Sequence, residues 1–353
     1  MMFQDNSFTK KTALFNTYQE NETTSQYSSD PVSVLAVNCA ERYYKNVITE
    51  THQEKAKCEL SSDSITLNVL ENSASTVDKL LDILKVASEI AWEKVESLFG
   101  LEIIHQDISE GLIQPLQIIN DSRHLYHEVI ITYADPETPS RLSVLLGKEI
   151  MEIRIKYTKA HPLVLGLMNL QCHYVGQMLW RCLSPQEKVQ FVPFLKILED
   201  YLYIPFPEIH EITAENRPNS PTFNAVQHLL PFTSKIGRAV YKRVSKKYQG
   251  YPSNSGSFNK LMVKFSSIRY VEIFQCYLCW CVLEGSISPI KQDLLPLCVM
   301  LYPCLNVSWK LVQDMLLFMF WELNDRLSQE DMMIFLPYMG RLMEILSDEV
   351  FSS

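Results

Sequence analysis

The chain has 353 residues, of which 47% are hydrophobic and 21% charged, and its formal net charge is −9 at pH 7. This composition is ordinary for a globular protein, and the length suggests two domains. The acidic balance argues against a dedicated nucleic-acid binder, although it is compatible with a local basic site. Common nucleotide-dependent enzymes are also disfavoured, because the sequence has no glycine-rich phosphate-binding loop, nucleophile elbow, zincin motif or kinase motif set.

The amino terminus and the cysteines indicate a cellular compartment. Residues 1–29 are rich in Asn, Gln, Ser and Thr, which predicts a disordered tail without a signal peptide. The nine cysteines are odd in number and lie mostly within apolar helical runs, which is typical of reduced thiols. We therefore predict a cytoplasmic protein.

Residues 30–158 are predicted to form a small α+β region. A first helix is expected over residues 30–58, with Asp as its N-cap and Pro in its first turn. A second begins at a capping box, Ser75–Asp78, and ends at Gly100. The stretch Ser61–Glu71 between them is compatible with a short strand or a helical turn.

The strands of this region are expected at residues 128–133, 142–146 and 150–157. These segments alternate between apolar and polar residues or are β-branched, and prolines punctuate them. We predict a small antiparallel sheet. The alternative is one long helix interrupted at Pro136 and Pro139.

Residues 159–353 are predicted to form an all-helical domain. The run from Ala160 to Trp180 has no charged residue and is long enough to cross a bilayer. Polar side chains recur through it, however, and each would need an internal partner in lipid. They are Asn169, Gln171, His173 and Gln177. We therefore predict a buried core helix and no transmembrane segment.

The rest of this domain has clear helix starts joined by short links. Ser followed by Pro, or by an acidic residue three positions later, marks helix N-termini. These occur at Ser184, Ser220, Ser288 and Ser328. Short links between apolar helices indicate antiparallel neighbours. The predicted fold class is thus mainly α, a helical bundle or array with a small α+β N-terminal region.

One segment, Asn216–Val271, is strongly basic. It contains ten of the 32 Lys and Arg residues and no Asp or Glu, which leaves 22 basic against 41 acidic residues elsewhere. Its centre predicts a helix that Ser234 caps and Gly250 ends. Ile236, Val240 and Val244 would form the apolar side of that helix.

The cations of this helix form our candidate partner-binding site. Four of them share one face through their three- and four-residue spacing, namely Lys235, Arg238, Lys242 and Lys246, and two extend it, Arg243 and Lys247. A solvated face on a core helix is the simpler interpretation, but such faces usually mix signs. We predict docking of an acidic protein, with nucleic acid and a peripheral anionic membrane as alternative partners.

Two segments resemble parts of an uncharacterised cyanobacterial family of mainly helical proteins. They are PFLKILEDYLYIP, residues 193–205, and FQCYLCWCVLEG, residues 274–285. The resemblance covers roughly residues 160–350. It implies a cyanobacterial origin but no activity, because it carries no catalytic motif.

A thiol cluster is the strongest of the remaining chemical candidates. Cys276 and Cys279 would lie near one another on a helix, and thiolates at this spacing can bind zinc or an iron–sulfur cluster. No second pair at ligand spacing follows, and free cysteines are commonly buried as small hydrophobes. We therefore predict no metal at these cysteines, although Cys276 and Cys279 are the candidate ligands if a metal binds. The sequence identifies no cofactor.

Other candidates are histidines and acids. His124 and His127, with Glu102 and His105 upstream, could assemble a metal site only on a helix, since a strand would point the pair apart. Acids at 208, 211 and 215 are expected to form a solvated face or to pair with Arg238 or Lys242. His173 is expected to be a hydrogen-bonded core residue.

The sequence favours a non-enzymatic interaction or regulatory protein that uses the basic helix face. The alternative is an enzyme or ligand carrier with a pocket or a metal or thiol site among the C-terminal helices. Docking predicts association that salt weakens, whereas a carrier predicts a bound ligand or metal after purification.

Overall fold

The computed structural model describes residues 62–99, 114–134, 139–160, 162–251, 258 and 261–347. All regular structure within these ranges is helical, and none of it is a strand. The prediction of a mainly α fold is confirmed. The predicted tail at residues 1–29 and the helix at residues 30–58 lie outside the described residues, as do Glu102 and His105.

The chain divides into two compact units between Pro205 and Phe206. The sequence placed a domain boundary between residues 158 and 159 instead. The two helices that follow that point pack on the helices before it, and this accounts for the later division.

The first unit consists of long helices. They are α1 (Ser62–Phe99), α2 (Pro115–Tyr133), α3 (Pro139–Ala160), α4 (Pro162–Arg181) and α5 (Pro185–Tyr203). Helix α1 packs on α2 and α4, and α3 packs on α2, α4 and α5. Four of these helices begin with proline, which lacks the backbone N–H that a first turn leaves without an acceptor.

The start of α1 corrects one prediction. The helix begins at Ser62 and runs without a break through Ser75, so the proposed capping box lies inside it. Thr76 donates its hydroxyl proton to Glu187 of α5. A capping-box pattern therefore has no capping role where helical residues precede it.

The predicted antiparallel sheet is wrong. Residues 128–133 belong to α2, and residues 142–146 and 150–157 belong to α3. The buried positions of α3 recur every three or four residues, as a helix requires, and the alternation holds only over short windows. They are Leu142, Leu146, Ile150, Ile153 and Tyr157. Pro139 begins α3, as the interrupted-helix alternative allows, and Pro136 lies outside the described residues.

Helix α4 is a core helix, as predicted. Most of its side chains are buried, and Gln171 is fully buried yet donates to the Ser88 carbonyl oxygen at 2.8 Å and to Ser122 Oγ at 3.3 Å. Internal partners of this kind offset the desolvation of a buried amide. No helix within the described residues is long and apolar enough to cross a membrane.

The second unit contains α6 (Phe206–Glu215), α7 (Pro221–Leu229), α8 (Thr233–Lys247), α9 (Leu261–Glu284), α10 (Leu295–Cys304), α11 (Trp309–Arg326) and α12 (Gln329–Ile345). A 3₁₀ turn at Leu230–Phe232 links α7 to α8, and a π-helical turn at Ile290–Leu294 precedes α10. Helix α8 packs on α9 and α11, while α12 packs on α7, α9 and α11.

The serine-led helix starts are largely confirmed. Ser184 accepts a hydrogen bond from the Glu187 amide, and the Glu187 carboxylate accepts one from the Ser184 amide, which completes a capping box. Ser220 and Ser328 likewise cap α7 and α12 through their side-chain oxygens. Such caps satisfy amides that the first turn leaves without intrahelical acceptors.

Candidate interaction face

Helix α8 begins in a different way from the prediction. Its N-cap is Phe232, which makes no side-chain capping bond, because the chain enters from a 3₁₀ turn that already supplies helical backbone. Ser234 lies inside the first turn, and its hydroxyl donates to Glu272 Oε1 of α9 at 2.8 Å. At the other end, Gly250 adopts a left-handed φ of 81°, as expected for a residue that follows a helix.

The apolar side of α8 is buried as predicted. Ile236, Val240 and Val244 are almost inaccessible to solvent. Gly237 lies on the same side, and a Cβ at this position would come within 3.2 Å of the Ile268 carbonyl oxygen on α9. Glycine therefore allows the two helix backbones to approach closely, and this packing fixes which side of α8 faces solvent.

Two of the six candidate cations form ion pairs with carboxylates of the same unit. Arg243 contacts Glu322 of α11 at 3.0 Å through both its Nε and a terminal nitrogen. Lys247 contacts Asp314 of α11 at 2.6 Å. Both carboxylate side chains are at most 6% exposed, and removing a partner from a buried carboxylate is strongly destabilising. These two cations anchor α8 to α11.

Asp314 is the more connected of the two buried acids. It also accepts a hydrogen bond from the Tyr248 hydroxyl, and Lys310 lies 3.9 Å away. Burial alone would raise the pKa of Asp314, but hydrogen bonds from Lys247 and Tyr248 and the nearby lysine charges outweigh it and lower that pKa.

Three other cations form what we call the lysine face: Lys235, Lys242 and Lys246. All three are exposed. At 3.6 residues per turn they lie within about 40° of one another around the helix axis and span about 16 Å along it. Lys235 also lies 5.7 Å from the Phe232 ring centroid. Arg238 is half-buried at the edge of this face.

The lysine face lacks local neutralisation. Within the part of the chain that the structure describes, no carboxylate lies within ion-pair distance of Lys242 or Lys246. The cations of α8 therefore differ in their contacts: Arg243 and Lys247 pair with carboxylates of α11, and the lysine face presents a row of positive charge to solvent. That row can attract an anionic surface without first breaking an internal contact.

The acids that bind Arg243 and Lys247 were not identified from the sequence. The sequence proposed instead that Arg238 or Lys242 pairs with acids at 208, 211 and 215, which lie on α6. The missed signal is the position of Asp314 and Glu322 among the apolar residues on the buried side of α11. Two carboxylates on the buried side of α11 require cations, and the acid-free segment supplies them.

The thiol cluster has no metal-site geometry. Cys276 is half-buried and Cys279 is buried, both on α9. Across the described ranges, no three His, Cys, Asp or Glu side chains converge as metal ligands. The residues fit a packed helix interface better than a coordination site.

The histidine candidates contact neighbouring polar side chains. Residues 124 and 127 lie on α2, a helix and not the extended segment predicted. His124 contacts Glu149 of α3 at 2.5 Å, and His127 contacts Glu128 at 3.0 Å. His173 hydrogen-bonds with Gln177 at 2.8 Å, as predicted, but it is half-buried and not part of the core.

No family model matches the chain, and neither a curated protein nor a solved structure shows significant similarity to it. The resemblance to a cyanobacterial helical family stays a prediction.

Proposed function

We propose that this chain is a non-enzymatic interaction protein that docks an acidic protein through the lysine face, with Arg238 at its edge. The observation that supports the proposal is the division of charge on α8. Arg243 and Lys247 are partly exposed but pair with buried carboxylates. Lys235, Lys242 and Lys246 are exposed along one line, and within the described residues no carboxylate lies at ion-pair distance from Lys242 or Lys246. The fold would be equally well anchored without those three charges.

An acidic protein fits this surface better than nucleic acid does. Nucleic-acid sites usually track a backbone with many Lys and Arg residues and often stack aromatic side chains on bases. The lysine face offers three ammonium groups over about 16 Å, within a chain of net charge −9. A helix or loop that carries several carboxylates matches that number and length.

We also infer that the protein acts in a reducing compartment such as the cytoplasm. Among the described residues, the cysteines at positions 172, 182, 281 and 298 are free thiols. Free thiols in such number are typical of reducing compartments.

The test is capture from native lysate, with and without nuclease, by the wild-type chain and by Lys235→Glu/Lys242→Glu/Lys246→Glu. A control variant, Lys148→Glu/Lys159→Glu/Lys291→Glu, changes the net charge equally at exposed lysines elsewhere. The proposal predicts a protein that wild type and control retain and that the lysine-face variant loses, with no effect of nuclease. Equal recovery by both variants contradicts the proposal, and loss on nuclease treatment replaces the protein partner with nucleic acid.

A further inference from the structure

A second surface of this chain carries negative charge, opposite in sign to that of the lysine face. Helix α1 buries Leu80, Leu84, Ala87, Ala91 and Val95 and turns its opposite side to solvent. That solvent side carries what we call the α1 acidic face: Asp82, Glu89 and Glu93. All three are exposed. They lie within about 40° of one another around the helix axis.

The acidic face is only partly neutralised. Glu89 is 52% exposed and contacts Arg123 at 3.5 Å, a weak pairing at that distance and exposure. Within the described ranges, Asp82 and Glu93 have no ion-pair partner. Lys85, an exposed cation at the edge of this face, and Arg123 both reduce its negative potential.

The two faces have the same spacing. Lys235, Lys242 and Lys246 occupy positions i, i+7 and i+11, and Asp82, Glu89 and Glu93 occupy positions i, i+7 and i+11 of α1. At a rise of about 1.5 Å per residue, both rows have intervals of about 10 and 6 Å. Two helices aligned in parallel with Lys235 opposite Asp82 would bring each ammonium group to one carboxylate.

Two exposed aliphatic side chains lie beside the α1 acidic face. Val86 and Ile90 are 53% and 46% exposed. A contact on this side of α1 would therefore remove some apolar surface from water as well as pair charges.

We infer that the partner of the lysine face is a second copy of this chain, docked through its α1 acidic face. This inference rests on the proposed function, because it names the acidic partner. The contact joins two different surfaces. If the two copies make it reciprocally, the assembly closes as a dimer. If they do not, each added copy leaves one face unused, and the assembly grows as the protein concentration rises. Exposed ion pairs are individually weak, so association should be modest and strongly sensitive to salt.

Sedimentation of the full chain at rising protein concentration tests the inference. We expect wild type to associate at about 0.01 M salt, where the screening length is about 30 Å, and to be monomeric at about 1 M, where it is about 3 Å. Lys242→Glu/Lys246→Glu should abolish association at low salt, and Asp82→Lys/Glu93→Lys should do the same. Before the comparison, circular dichroism must show that each variant keeps the helicity of wild type, and each variant must remain soluble.

Charge complementation gives the sharper result. A mixture of the two double variants contains one intact lysine face and one intact acidic face, and we expect it to associate although neither variant does alone. A single chain with all four reversals restores opposite charges on both faces and should also self-associate. Monomeric wild type at low salt, or a mixture that stays monomeric, overturns the inference.

Failure of this inference is distinguishable from failure of the proposed function. If wild type is monomeric but still captures a protein that the lysine-face variant loses, the docking face stands and its partner is another acidic protein. If the Asp82→Lys/Glu93→Lys variant keeps the captured protein while self-association is absent, the α1 acidic face has no part in docking. If capture and self-association are both absent, both proposals fail.

Discussion

Arg243 on α8 and Glu322 on α11 lie 3.0 Å apart, and the carboxylate side chain is only 6% exposed. A basic residue first assigned to a docking surface is therefore a structural cation. Arg326 also contacts Glu322 from the next turn of α11, so the buried carboxylate has two guanidinium partners. The contrast with the exposed lysines defines which charges of α8 are available to a partner.

Loss of Arg243 should destabilise the fold, whereas loss of a lysine of the lysine face should not. We expect Arg243→Ala to lower the free energy of unfolding by about 1.5 kcal/mol, since Arg326 still partly compensates the buried carboxylate. Lys242→Ala should change it by less than about 0.5 kcal/mol, as exposed substitutions usually do. Urea unfolding measures both, and equal effects would show that the charges of α8 do not differ in role.

Acid should weaken the α8–α11 contact through Asp314. Its pKa in the folded state lies below the ordinary value of 3.8, so the folded state binds the proton less readily than the unfolded chain does. The contribution is therefore fully present above the ordinary value and is lost as pH falls through the folded-state pKa. Asp314→Asn should lower stability near neutral pH and flatten its acid dependence. If the free energy of unfolding of that variant falls with decreasing pH as steeply as that of wild type, other carboxylates cause the acid dependence.

Gly176 should tolerate no side chain. A Cβ there would lie 2.5 Å from the Tyr126 hydroxyl oxygen, which is buried and donates to the Cys172 carbonyl at 2.7 Å. We expect Gly176→Ala to destabilise the first unit by about 2 kcal/mol, because the ring must shift within a packed core. Tyr126→Phe removes the clashing atom, so the double variant should be more stable than Gly176→Ala alone. Thermal unfolding of the three variants decides this, and additive losses would show that the two residues do not interact.

The buried thiols should be inert in the folded protein. Burial raises the pKa of Cys281 to about 12 and that of Cys298 to about 12. Near pH 8 each therefore holds about a thousandfold less thiolate than a thiol at 9.0. Alkylation followed by peptide mass spectrometry should modify half-buried Cys182 first and the buried pair only after unfolding. Rapid native modification of Cys281 would mean that α9 opens readily.

Three serine-led helix starts were predicted correctly from the sequence, although those at Ser75 and Ser234 were not. Ser184 and Ser328 sit where a side-chain oxygen can reach an amide three residues later, and this local chemistry needs no tertiary information. The segment 142–157 failed for the opposite reason. Over windows of five to eight residues its pattern fits a strand, and only the longer period of its buried positions identifies α3.

The candidate site was half predictable. The absence of acids in the sequence around α8 identified the basic helix. The spacing of its lysines predicted that they share a face, because spacing along a helix determines which side chains lie together. The division between Lys246 and Lys247 could not be obtained in the same way. It depends on Asp314, which is 67 residues away from Lys247 in the sequence, so only the packing of α8 on α11 reveals it.

One measurement tests the lysine face most directly. A photoreactive residue placed at Ala239, half-buried between Lys235 and Lys242, would link covalently to whatever covers that face; the same residue at exposed Lys291 is the control. We predict a protein adduct at position 239 that disappears when Lys242 and Lys246 are reversed to Glu, and whose mass identifies a second copy or another acidic chain. No adduct at 239, or an adduct indifferent to that reversal and equally strong at 291, would contradict the assignment of this face as a docking site.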